Sequence, residues 1–87
     1  MIYVTAVHME GGNEHEHISD VKWRNPEDGK AGESTRATVV DWIKSKGGVA
    51  KVTEGQHTVP VEVYREQWLR TKADGVWKDN LLALPRY

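Results

Sequence analysis

The chain has 87 residues, a net charge of −1, 38% hydrophobic and 29% charged residues, and no cysteine. These values predict a single ordered, soluble domain without disulfides, thiolate zinc sites or cysteine nucleophiles, in a reducing compartment. There is no basic leader and no apolar run of about 18 residues, so we expect a cytoplasmic protein without a membrane partner.

Aromatic and charged residues are unevenly distributed. Four tryptophans stand in a chain without phenylalanine, so we expect indoles to supply most of the large aromatic volume of the core. Residues 1–34 hold seven acidic and three basic residues, whereas residues 65–87 hold five basic and three acidic ones. A nearly neutral domain lacks the counterion release that drives nucleic-acid binding, which favours a protein as the partner.

The N-terminal segment predicts a β-hairpin. Residues 2–9 are rich in β-branched and aromatic side chains, and residues 17–24 form the partner strand. With a four-residue loop at 11–14, the register pairs Ile2 with Trp23, Val4 with Val21, Ala6 with Ser19 and His8 with His17. Ile18 breaks the alternation, so either both faces of the hairpin are covered or a β-bulge intervenes.

A loop and a helix follow. Residues 25–33, NPEDGKAGE, are dense in turn-forming residues. Ser34 or Thr35 can cap the helix N-terminus, and Gly47 can adopt the left-handed conformation that ends it. The apolar arc predicted to face the core consists of Val39, Val40, Trp42 and Ile43.

The next segment predicts a second hairpin. Residues 49–52 and 57–64 flank the turn TEGQ, with Val59, Val61 and Val63 alternating inward. Pro60 has no amide hydrogen to donate, which predicts a sheet edge or a nitrogen that points outward.

The C-terminal segment predicts a short strand at residues 68–73 and a tight turn at Asp74-Gly75 that leads into Val76 and Trp77. Three leucines near the end are too few for a helix and are expected to fill the open end of the core: Leu81, Leu82 and Leu84.

Together these elements predict one α+β domain over residues 1–87, with the order ββαβββ. We expect a mostly antiparallel sheet of about five strands with one helix, in a grasp-like arrangement of two hairpins around that helix. A small bent barrel with a capping helix is the alternative.

Several motifs resemble a known family. VTAV at 4–7, HEHI at 15–18, a helix that ends in glycines and DNLLALP at 79–85 resemble the domain of unknown function 3892 family, whose members are small single-domain proteins of bacteria and their phages. The resemblance covers nearly the whole chain. It implies the fold and a bacterial or phage origin, and it supplies no catalytic residue.

Histidines at the predicted hairpin tip are candidate metal ligands. In the predicted register His8 faces His17, His15 is their diagonal neighbour and Glu10 faces His15, a donor set that suits zinc or nickel. The alternative is a solvated hairpin tip without a cofactor. We favour it because no established zinc-site spacing is present.

The candidate interaction surface is a basic and aromatic stripe of Trp68, Arg70 and Lys72 on one strand face. It could stack a base or bind an acidic peptide. The structural alternative is that the basic side chains simply cover the indole.

The remaining polar groups have structural explanations. His57 is expected at the rim of the sheet, and Asp74, Asp79 and Asn80 are typical of turns, so no catalytic residue is predicted.

The sequence thus predicts a small accessory protein that is not an enzyme and that binds another macromolecule, preferably a protein. The alternatives are a metal-binding protein or metal-dependent enzyme at the histidine hairpin, and a weak single-stranded nucleic-acid binder.

Overall fold

The computed structural model describes residues 1–54, 57–71, 81–82 and 84–87. The elements in this part of the chain are β1 (Ile2–Met9), a 3₁₀ helix (His15–His17), β2 (Ile18–Arg24), β3 (Ala31–Thr35), α1 (Arg36–Lys46), β4 (Ala50–Glu54), β5 (His57–Tyr64) and β6 (Trp68–Thr71).

The sheet consists of two antiparallel meanders, β1-β2-β3 and β4-β5-β6, that lie side by side in the order β3-β2-β1-β4-β5-β6. Their first strands pair in parallel, with Ile2 opposite Ala50 and Tyr3 opposite Lys51. α1 returns the chain from edge strand β3 to the central strand β4 and contacts strands of both meanders. The predicted α+β class with a mostly antiparallel sheet and one helix is confirmed. Within the described residues the strands number six, and the sheet is mixed.

The β1-β2 register differs from the predicted one. Val4 pairs with Trp23, Ala6 with Lys22, Val7 with Val21, His8 with Asp20 and Met9 with Ile18. The four predicted pairs are wrong because the register shifts twice along β1, and because the 3₁₀ helix lengthens the loop beyond four residues. The bulge alternative for Ile18 is confirmed, because the register shifts between His8 and Met9, next to the Met9–Ile18 pair, and Ile18 is fully buried.

β3 lies where the sequence predicts a loop. Its residues, AGEST, lack the run of β-branched and aromatic side chains that marks a strand. It nevertheless pairs with β2 along its length, from Ala31 opposite Arg24 to Thr35 opposite Asp20. Tertiary pairing therefore outweighs weak local propensity, and the element order becomes βββαβββ.

α1 begins and ends as predicted. The Thr35 hydroxyl accepts a hydrogen bond from the amide of Thr38 at 3.2 Å, and Gly47 ends the helix with φ 64°. Val39 and Val40 are buried in the core. α1 has 11 residues, and among the described residues no helix is long and apolar enough to cross a membrane.

The buried core is aliphatic. Its members are Ile2, Val4, Val7, Ile18, Val21, Val39, Val40, Ala50, Val52, Val61, Leu69 and Leu81. Trp23 and Trp42 are partly buried and pack against it, and they are the aromatic side chains that the described core contacts. The buried centre itself consists mainly of β-branched residues of the sheet and the helix. The role predicted for the C-terminal leucines is confirmed, because Leu81 is fully buried and Leu82 and Leu84 pack beside it.

β5 is an inner strand that pairs with β4 on one side and β6 on the other. Of the two alternatives predicted for Pro60, the sheet edge is therefore wrong, and the outward nitrogen stays a prediction. The described pairing with β6 begins at Val61, immediately after the proline, and Val61 is buried as predicted. Residues 72–80, with the predicted Asp74-Gly75 turn and Trp77, lie outside the described part.

The β5-β6 turn holds two residues in an unfavourable backbone conformation. Arg65 and Glu66 have φ values of 52° and 64°, and the amide of Gln67 donates to the carbonyl of Tyr64 at 3.3 Å. Two left-handed positions of this kind usually carry Gly or Asn.

We expect Glu66→Gly to raise the free energy of unfolding by about 0.5–1 kcal/mol, because glycine has no Cβ to strain in this conformation. Urea denaturation measures the change. Gln67→Gly is the control and should give no gain, since Gln67 does not have a positive φ. A Glu66→Gly protein no more stable than the parent would contradict the left-handed turn.

Candidate functional site

A groove of about 350 Å³ lies between α1 and the β1-β2-β3 meander. We call it the tryptophan groove, and its lining residues are Ile2, Trp23, Asn25, Ser34, Thr38, Val39, Asp41, Trp42 and Lys46. The two indoles and the aliphatic residues give it apolar walls, and the other side chains place polar groups around them. This mixture is typical of binding sites, in which apolar walls supply affinity and a few polar groups fix orientation.

Trp23 extends across the edge strand because β3 has a glycine opposite it. Trp23 pairs with Gly32, and a Cβ on that glycine would lie 2.9 Å from Cζ2 of the indole. The indole Nε1 donates to the hydroxyl of Ser34 at 3.1 Å. This wall of the groove is therefore held by both packing and a hydrogen bond.

Trp42 forms the second indole wall, beside another glycine. A Cβ on Gly48 would collide with the indole ring, and the amide of Gly48 donates to the carbonyl of Trp42 at 3.1 Å. Gly48, just after α1, thus packs against the Trp42 ring and is hydrogen-bonded to the same residue. The groove is built by the fold before any ligand arrives, which lowers the entropy lost on binding.

β3 borders this groove and is the terminal strand of the sheet. Within the part of the chain that the structure describes, no strand pairs with its outer edge. Exposed residues alternate along it with the half-buried Gly32 and Ser34. The outward amide and carbonyl groups of such an edge can pair with an extended segment of another chain.

Three arginines surround two aromatic rings near the β5-β6 turn. Cζ of Arg70 and Arg65 lie 4.4 and 5.1 Å from the centroid of the Tyr64 ring, and Cζ of Arg36 lies 4.4 Å from the Trp68 ring. Tyr64 and Trp68 are cross-strand partners. We call these five residues the arginine cluster.

The three guanidinium groups are held differently. Arg70 Nε donates to Glu62 Oε1 at 2.7 Å, and Arg36 Nη1 donates to the carbonyl of Ile18 at 3.0 Å. Arg65 is exposed and, among the described residues, has no carboxylate partner. Of the predicted stripe, Trp68 and Arg70 belong to this cluster, whereas Lys72 lies outside the described residues.

The candidate metal ligands occupy separate environments. His8 Nδ1 is hydrogen-bonded to the main-chain oxygen of Tyr87, and its Nε2 lies 3.8 Å from Glu10 Oε1. His17 Nδ1 accepts from the amide of Glu14 at 3.1 Å. The His15 ring lies 6.5 Å from the Tyr64 ring.

The contact between His8 and Glu10 brings two members of the predicted set together. The described residues include no group of three or more His, Asp or Glu side chains arranged to hold a metal. The side chain of His57 lies outside the description, as do Asp74, Asp79 and Asn80.

Tyr87 packs on the outer face of the sheet beside His8. Lys22 Nζ lies 4.6 Å from the centroid of its ring. The pKa of Tyr87 is raised by desolvation, by the negative charges of Glu33 and Asp20, and by a hydrogen bond with Glu33. A raised pKa means that any stability gained from this tyrosine is present below its ordinary pKa and is lost as pH rises through the folded value.

The family model for proteins of unknown function DUF3892 matches residues 3–85. The chain belongs to the DUF3892 family. This match confirms the resemblance inferred from the VTAV, HEHI and DNLLALP motifs. No curated protein and no solved structure matches the chain. Its function must therefore be argued from the surfaces of this DUF3892 protein itself.

Sequence reasoning missed most of both sites. The tryptophan groove depends on Gly32 lying opposite Trp23, and that pairing is invisible when β3 is predicted as a loop. The arginine cluster depends on Arg36, which is distant in sequence from Trp68. A usable signal was the basic Arg65 directly after Tyr64, at the point where the strand ends.

We expect zinc and nickel to leave the melting midpoint of the DUF3892 protein unchanged, because its candidate histidines occupy separate environments. An ion that bound the native state would raise the midpoint by mass action. Thermal melting of chelator-treated protein, with and without each ion, measures this. His17→Ala and His8→Ala are the controls. A midpoint that rises with either ion, and no longer rises in these variants, would instead support the metal hypothesis.

Proposed function

We propose that this DUF3892 protein is a non-enzymatic module that binds an extended segment of a partner protein. The segment adds to the outer edge of β3 as a further strand, and one of its apolar side chains enters the tryptophan groove. The observation that carries the proposal is the position of β3. Its outer edge has no described partner strand, and its Ser34 also lines the groove.

Strand addition uses the two features that this surface offers. Main-chain hydrogen bonds along an edge supply affinity, and pockets for alternate side chains supply specificity. The residues of β3 that are half-buried, Gly32 and Ser34, are small, and Trp23 extends across the strand at this point. A side chain of the added strand can therefore reach the indoles without obstruction from a bulky residue of β3.

The charge of the edge selects the partner. Glu33 is exposed in the middle of β3. Like charges placed opposite one another destabilise a strand pair, so this residue opposes pairing of two copies centred on it. A partner segment with a basic residue opposite Glu33 forms a favourable cross-strand pair. We therefore propose an extended segment that combines a large apolar residue with a basic one.

Hydrogen bonds within the groove support binding rather than catalysis. The Ser34 hydroxyl accepts from the Trp23 indole, and the Thr38 hydroxyl is bonded to that of Thr35 at 2.9 Å. Each hydroxyl of the groove is thus engaged with a group that is not a general base, which is unlike the arrangement of an activated nucleophile. Cytoplasmic location and a bacterial or phage origin stay predictions of the sequence.

The test selects peptides from a display library on the immobilised protein and measures their affinities. Thr38→Phe places a ring in the groove from the exposed surface of α1, so it blocks the site without altering the buried core. Ala37→Phe is the matched control, because its side chain points about 100° further round the helix. We expect selected peptides to bind the parent and Ala37→Phe equally, and Thr38→Phe at least about tenfold more weakly.

Backbone amide shifts give the second readout. Peptide binding should perturb residues 31–35 and both groove indoles. A library that yields no binder, or binders that are indifferent to Thr38→Phe and leave β3 unperturbed, would show that this surface is not a strand-addition site.

A further inference from the structure

We infer a second binding site, independent of the β3 edge, at the arginine cluster. It binds a nucleobase together with its phosphate, the combination presented by a single-stranded nucleic acid. Four of its five residues lie on β5, β6 and the turn between them, at the opposite end of the strand order from β3, and Arg36 at the start of α1 is the fifth. Failure of the strand-addition proposal therefore leaves this one intact.

The aromatic part of the site is a cross-strand pair. Tyr64 and Trp68 are directly opposite one another beside the β5-β6 turn, and both are half-buried. Rings in this position are anchored on one side and accessible on another. Aromatic side chains on a sheet surface bind single strands by stacking on successive bases, without regard to sequence.

The cationic part is concentrated around these rings. Three of the chain's five arginines have their guanidinium groups 4.4–5.1 Å from one or other ring centroid. Guanidinium groups both stack on bases and bind phosphate oxygens in a bidentate manner. Arg65 is the most available of the three, because it is exposed, whereas Arg70 pairs with Glu62 and Arg36 donates to the carbonyl of Ile18.

The strained turn is explained by this site. Consecutive side chains of an extended strand point to opposite faces, so Arg65 reaches the ring of its neighbour Tyr64 because the strand ends there. The left-handed conformation of Arg65 and Glu66 is the feature that makes this placement possible. Strained backbone of this kind is found preferentially at functional sites, where the strain places a side chain in the position that its function needs.

A cleft of about 330 Å³ beside the cluster can receive the phosphate. Its lining residues are Arg36, Ala37, Val40, Asp41, Lys44, Ser45, Glu66 and Gln67. Arg36 belongs to both the cleft and the cluster, and its buried Nε has no hydrogen-bond partner among the described residues. Lys44 Nζ lies 3.5 Å from the carbonyl oxygen of Glu66 at the other wall.

The same cleft contains two acidic residues, Asp41 and Glu66, and Glu62 pairs with Arg70. The excess of positive charge is therefore small. We expect weak binding dominated by stacking, with a shallow dependence on salt, in contrast to the steep dependence of strongly basic proteins.

Fluorescence anisotropy with labelled oligouridylate and oligothymidylate of about ten nucleotides tests the site, at low and at physiological salt. Separate arms use uridine monophosphate, inorganic polyphosphate and an acidic peptide as competitors. The test variant is Arg65→Ala. Its matched control is Arg24→Ala, which removes the same charge from another arginine–tyrosine pair, with Cζ 5.1 Å from the Tyr3 ring.

We expect Arg65→Ala to weaken oligonucleotide binding by about fivefold and Tyr64→Leu by about tenfold, and Arg24→Ala to leave it unchanged. Melting curves of the Tyr64→Leu variant are the control for folding, and they should show a cooperative transition like that of the parent. If uridine monophosphate competes as strongly as the unlabelled oligonucleotide at the same concentration of binding sites, the ligand is a free nucleotide, which presents the same base and phosphate.

Three results would overturn the inference. The first is no oligonucleotide binding even at low salt. The second is equal weakening by Arg24→Ala and Arg65→Ala, which would indicate a diffuse charge effect. The third is displacement by polyphosphate or the acidic peptide but not by the mononucleotide, which would indicate an anion site that does not recognise bases.

Discussion

Gly48→Ala should lower the free energy of unfolding by about 1–3 kcal/mol, the usual range for a side chain forced into occupied space. The added Cβ would enter the volume of the Trp42 indole. Gly47, immediately before it, has φ 64° and ends α1, so the two glycines have different roles. Gly47 adopts the left-handed backbone conformation that ends the helix, and Gly48 leaves room for the Trp42 ring. Urea denaturation measures the loss.

Two controls separate the ring from the backbone. In a Trp42→Leu background the effect of Gly48→Ala should shrink to below about 0.5 kcal/mol, because the clashing ring is gone. Gly12→Ala meets the His17 ring in a similar way, at 2.6 Å from Cε1, but that ring lies at the hairpin tip and can turn aside. We expect it to cost less than Gly48→Ala. An unchanged Gly48→Ala penalty without Trp42 would refute the steric explanation.

Leu81→Ala should destabilise the protein by about 2–5 kcal/mol, the range for a leucine removed from a closed core. Leu81 is fully buried although it lies near the C-terminal end of the sequence. Because small domains have a total stability of about 5–15 kcal/mol, this one change removes a large fraction of it. Thermal melting followed by tryptophan fluorescence and by circular dichroism should show the same lower midpoint.

Leu82→Ala is the matched control, since this neighbour is only partly buried. We expect a loss smaller than half of that for Leu81→Ala, because less apolar surface returns to water. Equal losses at the two positions would mean that Leu81 is not part of the closed core.

The elements with strong local signals could be predicted from sequence. β1 combines β-branched with aromatic residues, and α1 has a threonine cap and a terminating glycine, so both were located closely. β3 could not be found, because AGEST has only weak strand propensity and becomes a strand through pairing with β2. The β-bulges in β1 were equally hidden, and each one displaced the register of every following pair.

The sites were harder to predict from the sequence than the fold, because they depend on strand register and on contacts between residues that are distant in the sequence. The observed register places His8 opposite Asp20, three residues from the predicted partner His17, which removes the basis for the predicted metal set. The spacing of Trp68, Arg70 and Lys72 predicts that they share one strand face. The ring of Trp68 lies beneath Arg36, a contact between α1 and β6 that no local pattern indicates.

The pairing of β1 also has a consequence for the order in which the chain folds. The start of β1 pairs with β4, whereas the amide of Val7 donates to the carbonyl of Pro85 at 3.0 Å and the carbonyl of Val7 accepts from the amide of Tyr87 at 3.2 Å. During synthesis β1 therefore leaves the ribosome early, and this edge of it stays unpaired until the residues near 50 and then those near 86 have been made. Until then it stays open to chaperones and to other chains.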